Sequence, residues 1–382
     1  VFYRVDYNVP LDGAKITDAT RIEETIPTIR QLRERGAAIV LASHLGRPKG
    51  ERKEKYSLKP VRDRLSKLVG ADVQWADDCI GADAETKARA LKPGELLLVE
   101  NLRFHAGEEK NDAAFAAELK KLGDFYVNDA FGASHRAHAS IDALPRLFPK
   151  RNTAGGLLLA KEIEFLQKVT NVSQRPFVAL LGGAKISGKI EPLEALVNLA
   201  DAILVGGGMA NTFLAAQGIN VGRSLRDQDL EPAKNILALA AAKNVTLHLP
   251  TDAVVAEAFD ADRTAQTVPI AQVGDAMILD IGPATAVAYA AVLRAAKTIV
   301  FNGPMGVYEK AAYQNGTRVI GEAIAAATKA GATSVVGGGD AAAAAHALGF
   351  AGAMTHVSTG GGATLEFLEG KTLPGVAALE HG

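Results

Sequence analysis

The chain has one cysteine, Cys79, in 382 residues, which excludes a disulfide framework and a thiolate metal cluster. Aromatic residues make up only 5%, too few for the stacking surfaces that hold single-stranded nucleic acids. No apolar run approaches the ~18 residues needed to cross a bilayer, and no signal-peptide pattern opens the chain. Lys and Arg number 42 against 43 Asp and Glu, so no excess of one sign points to nucleic acid or a membrane. The catalytic spacings G-x-S-x-G and H-E-x-x-H are absent as well. These absences predict a soluble, cytoplasmic protein that acts on small molecules, with neither nucleic acid nor membrane as partner.

The length exceeds the roughly 250–300 residues at which one hydrophobic core stops growing, so two domains are expected. Apolar runs alternate with amphipathic segments: Val1–Val5, Ala37–Ser43, Leu96–Glu100 and Phe125–Asn128, then Phe177–Leu181, Ala202–Val205, Val245–Leu249, Thr298–Phe301, Ser334–Val336 and Thr355–Val357. Most are continuously apolar, as in strands covered by helices on both faces. Such alternation predicts an α/β protein with two Rossmann-like, doubly wound parallel-sheet domains. Leu157, Ala160, Ile163, Leu166 and Val169 recur at helical spacing before Arg175-Pro176, which predicts a linker helix or hinge over 156–174. The predicted domains are 1–155 with 366–382, and 175–365. Val1 lies within a β-type run, which predicts a short segment before it. The last four residues are left out of the reading.

Charge is unevenly placed. Residues 1–170 hold 28 Lys and Arg against 25 Asp and Glu, and the remainder 14 against 18. In parallel sheets ligands bind beyond the carboxyl ends of the strands, and in the first half those ends carry cations and other polar groups: Arg4 to Pro10, Ser43-His44-Leu45-Gly46-Arg47-Pro48, Glu100 to Phe104 and His135-Arg136-Ala137-His138, with Arg21 soon after the first strand. Arginine forks match phosphate and carboxylate oxygens, so the set predicts a site for a small anion. His135 and His138 lack the partners that a zinc site needs.

The corresponding ends in the second half carry glycine: Gly182-Gly183-Ala184-Lys185, Gly206-Gly207-Gly208, Asn302-Gly303-Pro304-Met305-Gly306, Gly337-Gly338-Gly339-Asp340 and Gly360-Gly361-Gly362. Glycines there let backbone N–H groups and helix N-termini approach phosphates, which predicts a nucleotide site. Gly183 to Lys189 fits G-x-x-x-x-G-K, but Ile190 stands where a Walker loop has Ser or Thr. Gly337 to Ala342 fits a loose dinucleotide pattern without the ribose-binding acid. Asp340 reads either as a helix cap or as a Mg²⁺ carboxylate, and Glu309 either as a ribose acceptor or as a cap.

Taken in order and spacing, Arg4–Pro10, Ser43–Pro48, Glu100–Phe104, Leu181–Lys189, Gly206–Ala210, Asn302–Glu309, Gly337–Asp340 and Ser358–Lys371 resemble the phosphoglycerate kinase family over essentially the whole chain. The resemblance implies two domains facing across a hinged cleft, a C-terminal segment returning to the first domain, and a monomer. It implies reversible phosphoryl transfer between ATP and 3-phosphoglycerate, with ATP or ADP and Mg²⁺ as cofactors. Asp6, Asn8, Arg21, His44, Leu45, Gly46, Arg47, Arg103 and Arg136 would then meet the phosphoglycerate. Lys185, Lys189, Gly207, Asn302, Pro304, Glu309, Gly338, Gly339, Asp340 and Ala341 would meet the nucleotide, with Asp340 on the metal. Catalysis would fall to Arg21, Lys185, Lys189, Gly338 and Gly361. Ala341 departs from the Ser or Thr common in the family, so a hydroxyl contact is lost while the backbone N–H remains. Two other readings stay open: a non-catalytic nucleotide-binding module, which could dispense with Arg21 and the lysines, and a kinase for another small carboxylate.

Overall fold

The computed structural model describes residues 1–171, 174–187 and 189–380. Gly188 of the G-x-x-x-x-G-K stretch, Val172 and Ser173 of the predicted linker, and His381 and Gly382 lie outside the described residues. The chain forms two compact units, Val1–Glu164 with the C-terminal segment from Thr372, and Phe165–Lys371. The division falls inside the helix Leu157–Thr170. The C-terminal return begins later than residue 366, because the helix Gly361–Leu368 packs on Ile190–Leu199 and stays with the second unit.

The first unit is built on six parallel strands in the order Val73–Ala76, Leu96–Val99, Ile39–Ala42, Phe2–Arg4, Tyr126–Asn128 and Thr153–Gly155. The central runs IVLA and LLLV are buried along their whole length, as expected where helices cover both faces. The C-terminal segment docks on this unit: Asn128 Nδ2 donates to the Gly375 carbonyl at 3.1 Å, and Gly375 N to the Ser134 carbonyl at 2.9 Å.

The second unit has six parallel strands in the order Thr246–His248, Ala202–Val205, Phe177–Leu181, Thr298–Asn302, Thr333–Val336 and His356–Val357. Numbered along the chain, that is 3-2-1-4-5-6, the order of dinucleotide-binding folds. The first sheet runs 3-4-2-1-5-6 instead. In both, strand order reverses beside the first strand, so the ligand crevice belongs between Phe2–Arg4 and Tyr126–Asn128 in one unit, and between Phe177–Leu181 and Thr298–Asn302 in the other. A further antiparallel sheet, Gln266–Pro269, Asp252–Ala256 and Met277–Ile281, was not expected from the sequence. It packs on the helix Gly207–Ala216 through Leu214, Val255 and Ile270.

Candidate active site

In the first unit several polar strand ends come together, and their charges are partly balanced from within. Asp6, just past the first strand, accepts from Arg21 Nη1 at 2.9 Å. His44 Nδ1 lies 3.8 Å from its other oxygen. Burial alone would raise the Asp6 pKa, but the Arg21 guanidinium, with Arg4 behind it, outweighs burial and holds the carboxyl at about 2. Burial drives the His44 imidazole well below its ordinary value, so it serves as a neutral hydrogen-bonding group. Arg4 is fully buried and structural: its Nε donates to Ser140 Oγ at 2.7 Å, and Glu108 Oε1 lies 3.8 Å from its Nη2.

Asn8 and Gly46 interlock, because Gly46 N donates to Asn8 Oδ1 at 2.8 Å and its carbonyl accepts from Arg103 Nη1 at 2.9 Å. Gly46 has φ +63°, and a Cβ there would strike the Tyr56 ring. Leu45 turns its side chain into the core, so only its backbone belongs to this loop. Arg47 and Arg136 are exposed, with Arg136 Nε donating to His135 Nε2 at 3.1 Å. Among the described residues, three buried nitrogens lack a hydrogen-bond partner here: Arg103 Nε, His135 Nδ1 and His138 Nδ1. Burial first, then Arg103, Arg4 and Arg136, push the His138 imidazole down to about 3. Unpartnered polar nitrogens, and histidines whose charged form burial and then neighbouring arginines disfavour, describe a place that an anion would stabilise.

Sequence reading missed the residue that organises this loop. Asn101, fully buried, accepts from Leu45 N and Arg103 N and donates to the Leu45 and Tyr56 carbonyls. Its only sequence signal was its place at a strand end. A hollow of about 1000 Å³ lies elsewhere in the unit, lined by Asp18, Lys55, Lys59 and Arg64 among others, and contains none of the site cations.

In the second unit the glycine turns do two different jobs. Gly182 and Gly303 pack backbone on backbone at the sheet's switch point, and a Cβ on either would collide with the other's turn. Gly207, at φ +63°, already donates its N–H to the Met305 carbonyl, so it shapes the site without offering that amide. The turns at Gly338 and Gly360 differ. They open the helices Gly339–Ala347 and Gly361–Leu368, whose first amides have no intrahelical acceptor. A Cβ on Gly361 would lie 3.3 Å from Gly339 N, so the two helix starts adjoin.

Lys189 reaches into the switch point. Its Nζ donates to Asn302 Oδ1 at 3.0 Å and to the Gly182 carbonyl at 3.2 Å. Burial lowers its pKa while Asp340 works the other way. The bond to Oδ1 orients the Asn302 amide and leaves its Nδ2 buried and without a partner, beside the Gly338 turn at φ +98°. Lys185 is exposed. Asp340 is not the helix cap; Gly338 holds that position, and Asp340 sits exposed in the first turn. Glu309 caps no helix either, since the next begins at Asn315. Ala341 is fully buried in the core with Ala345 and Phe350, which leaves its backbone N–H as the group it can offer.

A cavity of about 770 Å³ adjoins these turns, lined by Gly183, Gly207, Asn211, Leu279, Pro304, Glu309 and Asp340 among others. It is mostly apolar with a few polar residues in its lining, among them Asn211, Glu309 and Asp340, as suits a heteroaromatic ring carrying phosphates. The antiparallel sheet supplies one wall through Met277–Ile281, including Asp280, whose carboxyl burial pushes up to about 7.

Comparison with known proteins bears directly on this arrangement. The family model for phosphoglycerate kinase matches residues 1–371. The chain is 52% identical to a phosphoglycerate kinase of Moorella thermoacetica and 51% identical to one of Thermomicrobium roseum, each over 99% of this chain and 95% or 96% of theirs. Among solved structures, a phosphoglycerate kinase from Coxiella burnetii superposes with a TM-score of 0.86 at 41% identity, covering 99% of this chain and 95% of that one. Another, from Pyrococcus horikoshii, gives 0.83 at 33% identity over the same shares.

Proposed function

This chain belongs to the phosphoglycerate kinase family, and from that premise we propose how its residues divide the work of the reaction. That reaction is reversible phosphoryl transfer between ATP and the carboxylate of 3-phosphoglycerate, giving ADP and 1,3-bisphosphoglycerate. A carboxylate nucleophile has no proton to lose, so no general base is required. Catalysis then reduces to positioning and charge stabilisation.

Phosphoglycerate binds in the first unit. Arg47, Arg103 and Arg136 grip its phosphate, while Asp6, Asn8 and His44 orient its polar groups. Arg21 serves the transferring phosphoryl group, and its bond to Asp6 keeps it extended toward the strand ends. The nucleotide binds in the second unit, with its ring in the 770 Å³ cavity, Glu309 at the ribose and its phosphates at the helix starts of Gly339 and Gly361. Lys189, Lys185 and the turn amides at Gly338 and Gly361 neutralise charge on the phosphoryl oxygens. Asp340, an exposed carboxylate at a helix start that lines this cavity, would hold a Mg²⁺, a hard cation suited to oxygen ligands. When bound, that ion supplies neutralisation of phosphate charge.

One observation carries the nucleotide assignment: Lys189 Nζ and the unpartnered Asn302 Nδ2 converge beneath the Gly338 turn. Asn302→Asp replaces that donor with a negative oxygen. ADP affinity of the intact chain should collapse while 3-phosphoglycerate affinity holds, as read by calorimetry. Unchanged ADP affinity would refute the assignment. We also take the working form to be a single chain in the cytoplasm, since residues of one chain build both sites; light scattering of the purified protein checks the first point.

A further inference from the structure

Asp78, Cys79 and His105 have no part in either ligand site, yet a carboxylate oxygen, Cys79 Sγ and a His105 ring nitrogen lie within 4.8 Å of one another. Cys79 packs in the core with Ala76, Val99 and Leu102, and its polar neighbour is Asp78. Asp78 Oδ1 accepts from Cys79 N at 2.6 Å and lies 2.6 Å from His105 Nε2. Stacking on Phe115, at a centroid distance of 5.2 Å, fixes the imidazole plane. The side chains of His105 and Asp78 are 29% and 49% exposed, so an ion has a way in from that side.

We propose that these three residues bind a divalent metal ion of the Zn²⁺ class, with water in the fourth position. Thiolate and imidazole donors select Zn²⁺ or Co²⁺ over Mg²⁺, which separates this site from the nucleotide's metal. Tetrahedral coordination at about 2.0–2.3 Å sets ligand atoms roughly 3.3–3.7 Å apart. Asp78 and His105 therefore open by about 1 Å from their 2.6 Å contact, and a pair near the 4.8 Å limit closes by about as much, both within reach of side-chain rotation. The local field favours a cation. The Asp78 and Glu108 carboxylates, both close enough to act on the thiol, would attract a dication. On binding, the thiol proton leaves to solvent, and His105 presents the Nε2 lone pair with its proton on Nδ1.

Because Cys79 is the sole cysteine, a thiolate-to-metal signal has one possible source. Titrating Co²⁺ into the full-length protein should give a near-ultraviolet thiolate-to-cobalt band that saturates at one equivalent. Zn²⁺ should erase it and Mg²⁺ should not. Cys79→Ser should abolish the band. His105→Gln, at a half-buried position, should weaken Co²⁺ binding more than about tenfold, since one of three protein ligands is gone. Circular dichroism confirms that each variant is folded. Absence of the band in the folded wild type, or Co²⁺ bound equally tightly by His105→Gln, overturns the proposal.

Discussion

Arg21 and Arg47 both sit among the cations of the first unit, but their surroundings differ. Arg21 is held by Asp6 and by the Asn8 carbonyl, whereas Arg47 is exposed. An arginine that meets the equatorial oxygens mainly in the transition state lowers the barrier without tightening ground-state binding. Arg21→Ala should lower kcat by about 10²–10³, by analogy with losing one oxyanion donor, and Arg47→Ala should chiefly raise KM for phosphoglycerate. Steady-state kinetics on the two variants checks this; a raised KM with normal kcat for Arg21→Ala would make it a substrate clamp. Asp6 adds a pH signature. Its folded pKa of about 2 lies below the ordinary 3.8, so its stabilisation is complete above about pH 4 and is lost as pH falls toward 2. The shift corresponds to about 2–3 kcal/mol. Denaturant unfolding of wild type and Asp6→Asn should show a stability gap that narrows as pH falls from about 4 toward 2. A gap independent of pH would show that Asp6 is not held this way.

At the scale of elements, the glycine turns separate into packing and ligand-facing kinds, and substitution should sort them. A Cβ on Gly182 would run into the Pro304 carbonyl, and both are backbone at the sheet's centre. Gly182→Ala should therefore destabilise the second unit by more than about 3 kcal/mol and remove nucleotide binding. Gly339 meets nothing within 4 Å and has no left-handed φ. Gly339→Ala should raise stability by about 0.5–1 kcal/mol, as alanine does inside a helix. Thermal unfolding and ADP calorimetry of both variants give the comparison; equal tolerance at the two positions would dissolve the distinction. The sequence could not draw it, because all five turns read alike until their backbone neighbours were known.

For the whole molecule, the two α/β units were legible because nearly all the central strands are unbroken apolar runs such as Leu96–Val99 and Phe177–Leu181. What escaped was short, polar or antiparallel. Val73–Ala76 carries Gln74 and the half-buried Trp75 at a sheet edge, and Asp252–Ala256 alternates in burial as one-sided strands do. The site was legible in part because arginine and glycine at strand ends are chemically distinctive. The Lys189–Asn302 pair was not, since it joins residues 113 apart, and nothing in Asn101 marks it as the organiser of its loop.

The central claim is that the cationic strand ends hold phosphoglycerate and the glycine turns hold the nucleotide. Hydrogen exchange of the intact chain, with 3-phosphoglycerate alone and then with ADP alone, tests it most directly. Phosphoglycerate should slow exchange at residues 4–8, 44–47, 101–104 and 134–138. ADP should do so at 182–187, 302–309 and 337–342. Protection by phosphoglycerate confined to the second set, or by ADP confined to the first, would contradict it.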